Sequence, residues 1–133
     1  MRYLLDTNVI SNVIRFPGGP AAQRVARSKL GDIGTSIIVS AELKFAYVRK
    51  ASKRLENLIE GSLASLDVAP WEAPADRLYA RIRTHLEKTG RLIGQNDMLI
   101  AAHALALDAI LVTDNEKEFS LVPGLRVENW VRH

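Results

Sequence analysis

Short apolar runs alternate along this chain with longer stretches whose apolar residues recur every third or fourth position. Residues 2–6, Ile33-Gly34-Thr35, Asp67-Val68-Ala69 and residues 110–113 are too short for helices and read as buried strands. Arg126-Val127-Glu128 is a weaker strand at an edge. Between them the period lengthens to that of a helix. A helical turn or two follows from Thr7 to about Ile14, and Phe16-Pro17-Gly18-Gly19-Pro20 breaks it. Pro20 suits the first position of a helix running to Leu30, with Gly31 as its C-terminal cap. Ser36 can cap a helix that runs to about Lys50. Leu55, Leu58, Ile59, Leu63 and Leu66 line one face of a helix over 53–66. Pro74 opens a helix through Leu78, Ile82 and Leu86 that ends at Thr89-Gly90. Asn96 can cap an Ala-rich helix over 97–107, and residues 115–119 form a loop or short helix. Strands alternating with helices imply a three-layer α/β domain with a largely parallel sheet. At 133 residues the whole chain, 1–133, is expected to be one domain.

Composition narrows the class. The hydrophobic share is 47% and the charged share 25%, as in ordinary globular proteins. Cysteine is absent, which removes disulfides, thiolate catalysis and cysteine-type zinc sites. No segment reaches the ~18–20 apolar residues of a membrane span, and the N-terminal apolar stretch is too brief for a signal peptide. The expected location is the cytoplasm. A net charge of +3 hints at an anionic partner. The cations gather in helical stretches: Arg24, Arg27 and Lys29; Lys44, Arg49, Lys50, Lys53 and Arg54; Arg77, Arg81 and Arg83. Each cluster reads equally as a solvated helix face.

Four acids change this picture: Asp6, Glu42, Asp97 and Asp114 each sit beside an apolar run. Ionised carboxylates near a core are costly without a compensating cation. In open α/β sheets ligands bind outside the carboxyl ends of the strands, where Asp6 and Asp114 fall. One convergent site of hard oxygen donors would suit Mg²⁺ or Mn²⁺. Each acid also has a plainer reading. Asp97 falls in a first helical turn, where an acid complements the helix dipole. Glu42 could pair with Lys44 or Arg49 at the surface, Asp6 could cap the next helix, and Asp114 could form a turn. Asn115 could supply an oxygen in place of Asp114, and spacing does not choose between them. Asn8 and Thr113 could orient the acids, or serve only in turn and strand-end hydrogen bonds.

Other chemistries find little support. His85 and His103 have no partner at ligand spacing, and Trp71 and Trp130 are isolated. No phosphate-binding loop and no dinucleotide glycine fingerprint exists. A receiver-type phosphoacceptor needs an acidic pair early in the chain, where Asp6 stands alone. A non-catalytic module of the same fold, binding RNA or protein, is the remaining alternative to an enzyme.

Four segments carry a family resemblance: Leu4-Leu5-Asp6-Thr7-Asn8, Ser40-Ala41-Glu42-Leu43, residues 93–104 around Gln95-Asn96-Asp97, and Leu111-Val112-Thr113-Asp114-Asn115. In this order, with the closing Val122-Pro123-Gly124-Leu125, they resemble PIN-domain ribonucleases, and among these the VapC toxins of toxin–antitoxin pairs. The resemblance implies a PIN-like (Rossmann-like) α/β/α sandwich and Mg²⁺- or Mn²⁺-dependent endonucleolytic cleavage of RNA, commonly tRNA or another structured RNA. It implies that Asp6, Glu42 and Asp97 are the core catalytic, metal-binding acids. Many members carry Thr-x-Asp where this chain has Thr113-Asp114-Asn115, so either Asp114 or Asn115 takes the fourth position. A cognate VapB-type antitoxin, a homodimer and a toxin–antitoxin hetero-oligomer are also implied.

Overall fold

The computed structural model describes residues 1–132; His133 lies outside them. The elements follow one another as β1 (Tyr3–Leu5), α1 (Thr7–Arg15), α2 (Pro20–Arg27), β2 (Ile33–Ser36), α3 (Ile37–Lys50), α4 (Lys53–Ala64), β3 (Asp67–Ala69), α5 (Ala75–Lys88), α6 (Gln95–Ala106), β4 (Ile110–Val112), α7 (Glu116–Phe119) and β5 (Val127–Glu128). Every strand pairing is parallel, in the order β3-β2-β1-β4-β5. The chain therefore starts at the centre of the sheet, winds outward through β2 and β3, and returns to build the other half. The direction of winding reverses between β1 and β4, the position at which such sheets open a crevice. The result is a three-layer α/β/α sandwich.

The register fixes what meets at that crevice. Leu5 lies opposite Thr35 on one side and Val112 on the other. The next residues, Asp6 and Thr113, thus leave adjacent strand ends together, and the Asp6 N–H donates to the Val112 carbonyl at 2.9 Å. Leu4, Leu5, Leu111 and Val112 are fully enclosed, as expected for central parallel strands covered on both faces. Gly34 lets β2 lie close to β3, because a Cβ there would meet the Asp67 carbonyl oxygen at 2.5 Å. Among the described residues no helix is long and apolar enough to cross a membrane.

The strands and helices fall where the periodicity predicts, with shifted ends. The second helix stops at Arg27 rather than Leu30, because Ser28 turns back to the Arg24 carbonyl and Leu30 has no apolar partner, standing 99% exposed. Gly31 takes its positive φ of 92° in the turn beyond, not at the helix cap. The helix carrying Asp97 begins at Gln95 behind Gly94, so Asn96 lies inside it and does not cap it.

Candidate active site

Asp6 is the most buried of the acids, 4% exposed, and it is held from three sides. As the N-cap of α1 it accepts the Thr7 N–H on Oδ1 at 2.8 Å. Its Oδ2 accepts the Thr113 hydroxyl at 2.8 Å and the Asn8 amide at 3.3 Å. Capping and site membership are thus one geometry, and the two readings of Asp6 do not compete. Burial still wins over these donors and, with repulsion from Glu42, raises the Asp6 pKa above its ordinary value.

Glu42 reaches the same place from the middle of α3. The Thr7 hydroxyl donates to its Oε1 at 2.6 Å, and the Asn96 amide approaches its Oε2 at 3.5 Å. The Ser36 side chain starts α3 by accepting the Ile38 N–H, and it meets His103 Nδ1 of α6 at 2.7 Å. This buried contact fixes the helix that carries Glu42 against the helix that carries Asp97. His103 is accordingly a packed side chain, whereas His85 is exposed.

Asp97 lies in the first turn of α6 with its carboxylate folded back toward Gly94. Its pKa is pushed up to about 7, first by burial, then by a hydrogen bond with Glu118, then by repulsion from Asp6, Glu118 and Glu42. Every charged neighbour that acts on Asp97 is an acid. Distant segments thus bring Asp6, Glu42 and Asp97 into mutual electrostatic contact, together with Glu118, a residue the sequence reading did not single out.

Asp114 and Asn115 are placed differently. The Asp114 N–H donates to Asn8 Oδ1 at 2.9 Å, while its carboxylate accepts the Asn129 amide at 3.0 Å and pairs with Arg132 at 3.1 Å. Asp114 is therefore already supplied with a cation and turned toward the C-terminal segment. The Asn115 N–H donates to the Thr113 hydroxyl oxygen at 3.0 Å, and its side-chain amide donates to Glu118 Oε2 at 2.7 Å. Asn115 orients Glu118 instead of joining the acids itself. Asn8 and Thr113 both donate to Asp6 and are tied to each other at 3.3 Å.

Among the described residues no three acids or histidines are already closed to metal-ligand spacing. The chemistry of the donor set nonetheless fits a hard divalent cation: carboxylate oxygens, half-buried to buried, crowded, and mutually repelling.

The PIN domain family model matches residues 3–125. The chain belongs to the PIN-domain family. Within it, the chain is similar to the VapC ribonucleases. It is 39% identical to Ribonuclease VapC2 of Rickettsia felis, over 98% of both chains. It is 33% identical to the tRNA(fMet)-specific endonuclease VapC of Shigella flexneri, again over 98% of both. Among solved structures it superposes on VapBC2 of Rickettsia felis bound to a promoter DNA fragment, with a TM-score of 0.87, 35% identity, and coverage of 98% of this chain and 99% of that one. The DNA-bound VapBC of Salmonella typhimurium gives a TM-score of 0.92 at 28% identity over 98% of both chains. PIN-domain membership accounts for the fold and for an endoribonuclease activity of the divalent-metal-dependent kind.

Proposed function

We propose that this PIN-domain chain is an endoribonuclease toxin that hydrolyses RNA phosphodiester bonds at Asp6, Glu42 and Asp97, with Glu118 as the fourth acid. The observation that carries this reading is the convergence of acids from four separate segments on Asp97, whose carboxyl is pushed up to about 7 by burial and then by Glu118, Asp6 and Glu42. These four side chains would hold Mg²⁺ or Mn²⁺ as the working ion. When bound, such an ion supplies Lewis acidity, which makes water nucleophilic near neutral pH and offsets the charge of the phosphate.

The protein's own groups prepare that site. The Thr7 N–H and the Thr113 and Asn8 side chains hold Asp6 in one orientation, and the Thr7 hydroxyl holds Glu42 beside it. Burial and the neighbouring carboxylates of Glu118, Asp6 and Glu42 hold the Asp97 pKa up at about 7, so a divalent cation would relieve the crowding there. The Asn115 amide keeps Glu118 turned inward throughout. Asp114 serves as a strut: through Asn8, Asn129 and Arg132 it ties the loop after β4 to α1 and to the C-terminal segment.

The reading extends to the setting in the cell. The two solved relatives named above are VapBC complexes, which supports a VapB-type antitoxin as partner. The substrate is tRNA or another structured RNA, as the name of the Shigella flexneri relative suggests. A homodimer, a cytoplasmic location and a single domain over residues 1–133 complete the proposal.

The test is cleavage of bulk tRNA by purified protein with Mg²⁺, with Mn²⁺ and with chelator. Metal-dependent cutting that disappears in Asp6→Asn and Asp97→Asn is the expected result. Undiminished cutting by both variants overturns the site.

A further inference from the structure

We infer that the cleft between α2 and the C-terminal segment is a track for the RNA sugar-phosphate backbone, with Arg24, Arg27, Arg2 and Lys29 as its phosphate contacts. This rests on the reading of the chain as a ribonuclease, and it assigns a part of the surface outside the acidic cluster. Two adjoining clefts of 490 and 280 Å³ share Arg24 and Arg27. Together they expose these two arginines, Arg2 and Lys29, against two acids, Glu128 and Asp32.

Three observations support this assignment. First, the charge of this cluster is not neutralised, as it is at some cations elsewhere: Lys44 pairs with Glu60 at 3.1 Å, Lys53 with Glu56 at 3.5 Å and Arg83 with Glu87 at 3.3 Å. Among the described residues no ion pair involves Arg2, Arg24, Arg27 or Lys29.

Second, Arg24 is held in place before any ligand arrives. Its guanidinium lies 4.9 Å from the Trp130 ring centre and 5.8 Å from that of Tyr3. The two rings meet edge to face at 5.0 Å, and the Trp130 N–H is anchored on Glu128 at 2.9 Å. Both aromatics are buried, so they cannot serve as platforms for bases; they position the arginine. A planar guanidinium fixed this way loses little entropy when it grips a phosphate. Glu128, occupied by Trp130, is less able to compete for it.

Third, one end of the track adjoins the segment after β4 that leads to Glu118. Asn129 lines its upper end and donates to Asp114 and Glu116 on the loop that leads to Glu118. From there the cleft follows α2 to Arg2 and Lys29 at the opposite end of the sheet. An RNA strand cut at the acids can lay its flanking phosphates along this path, where contacts to the backbone add affinity without reading sequence.

The test uses bulk tRNA as the probe, with full-length wild-type protein and two double variants. Arg27→Gln/Lys29→Gln removes two exposed cations and leaves the Arg24 stack intact, so folding is preserved. Lys44→Gln/Lys53→Gln removes the same charge elsewhere. Binding is followed by anisotropy across a salt series, in chelator so that nothing is cut, and KM and kcat are measured with metal. The expected result for Arg27→Gln/Lys29→Gln is a salt slope about 1–2 shallower than wild type. KM rises by about tenfold, kcat changes little, and the Lys44/Lys53 variant stays near wild type. Equal losses in both double variants, or an unchanged slope in the first, overturn the track while leaving the nuclease reading intact. Wild-type protein that neither binds nor cuts RNA overturns both.

Discussion

The Thr113 hydroxyl donates to Asp6 Oδ2 at 2.8 Å, joining the ends of β4 and β1 across 107 residues of sequence. It also accepts the Asn115 N–H, so one side chain couples the buried acid to the loop that aims Glu118. The crevice of the sheet and the acidic site are therefore set by the same bond.

Thr113→Val keeps the shape of this fully buried side chain and removes the bond. Hydrogen bonds to a charged group are worth about 1.5–3 kcal/mol, so chemical denaturation at neutral pH should show a loss of that order. Metal-dependent cleavage should fall with it, by about 10–100-fold, the usual effect of losing an orienting partner. A variant as stable and as active as wild type would show that Asp6 needs no such partner.

Glu118→Gln and Asp114→Asn distinguish the two candidates for the fourth acid. Glu118 is among the groups that raise the Asp97 pKa, whereas Asp114 is paired with Arg132. Loss of Glu118 should lower cleavage by about two orders of magnitude or more, as removal of a metal-assisting group does. Loss of Asp114 should cost mainly stability, about 1 kcal/mol or less for a partly exposed pair. The reverse ranking in initial-rate assays would return the fourth position to Asp114.

The raised acid makes stability depend on pH in a definite direction. Asp97 has a native pKa of about 7 against an ordinary 3.8. Between those values the folded state holds more protons than the unfolded one, so metal-free stability falls as pH rises. Asp6 shifts the same way. Melting in chelator should therefore show a temperature that declines from about pH 4 to about pH 7, with a flatter profile in Asp97→Asn. A melting temperature that climbs through this window in wild type would contradict the crowding of the acids.

Much of this was legible in the sequence, for physical reasons that also explain the gaps. Asp6 stands out because an acid at the end of a buried strand has few ordinary uses. Asp97 stands out because its helix is apolar on nearly every side. Short apolar runs and helical periods placed the five strands, since buried parallel strands must be apolar throughout. Glu118 gave no such signal. In Glu116-Lys117-Glu118 it reads as a solvated turn, and only the four-residue helix α7 and the Asn115 amide turn it toward Asp97. Asp114 shares the local look of Asp6, an acid after an apolar strand. Its fate depends on Asn129 and Arg132, which the chain brings back from beyond the edge strand. Helix ends shifted by a few residues because side-chain bonds such as Ser28 to the Arg24 carbonyl decide them.

Direct titration of Mn²⁺ into metal-free wild type, Asp97→Asn and Glu118→Gln addresses the central claim without RNA. Wild type should bind the ion and melt at a higher temperature, by about 2.7 kcal/mol of added stability at 100-fold excess over Kd. Both variants should bind at least about tenfold more weakly, since each removes an anionic donor from a crowded set. Equal affinity in all three proteins would mean that these carboxylates do not share one cation, and the account would fail at its root.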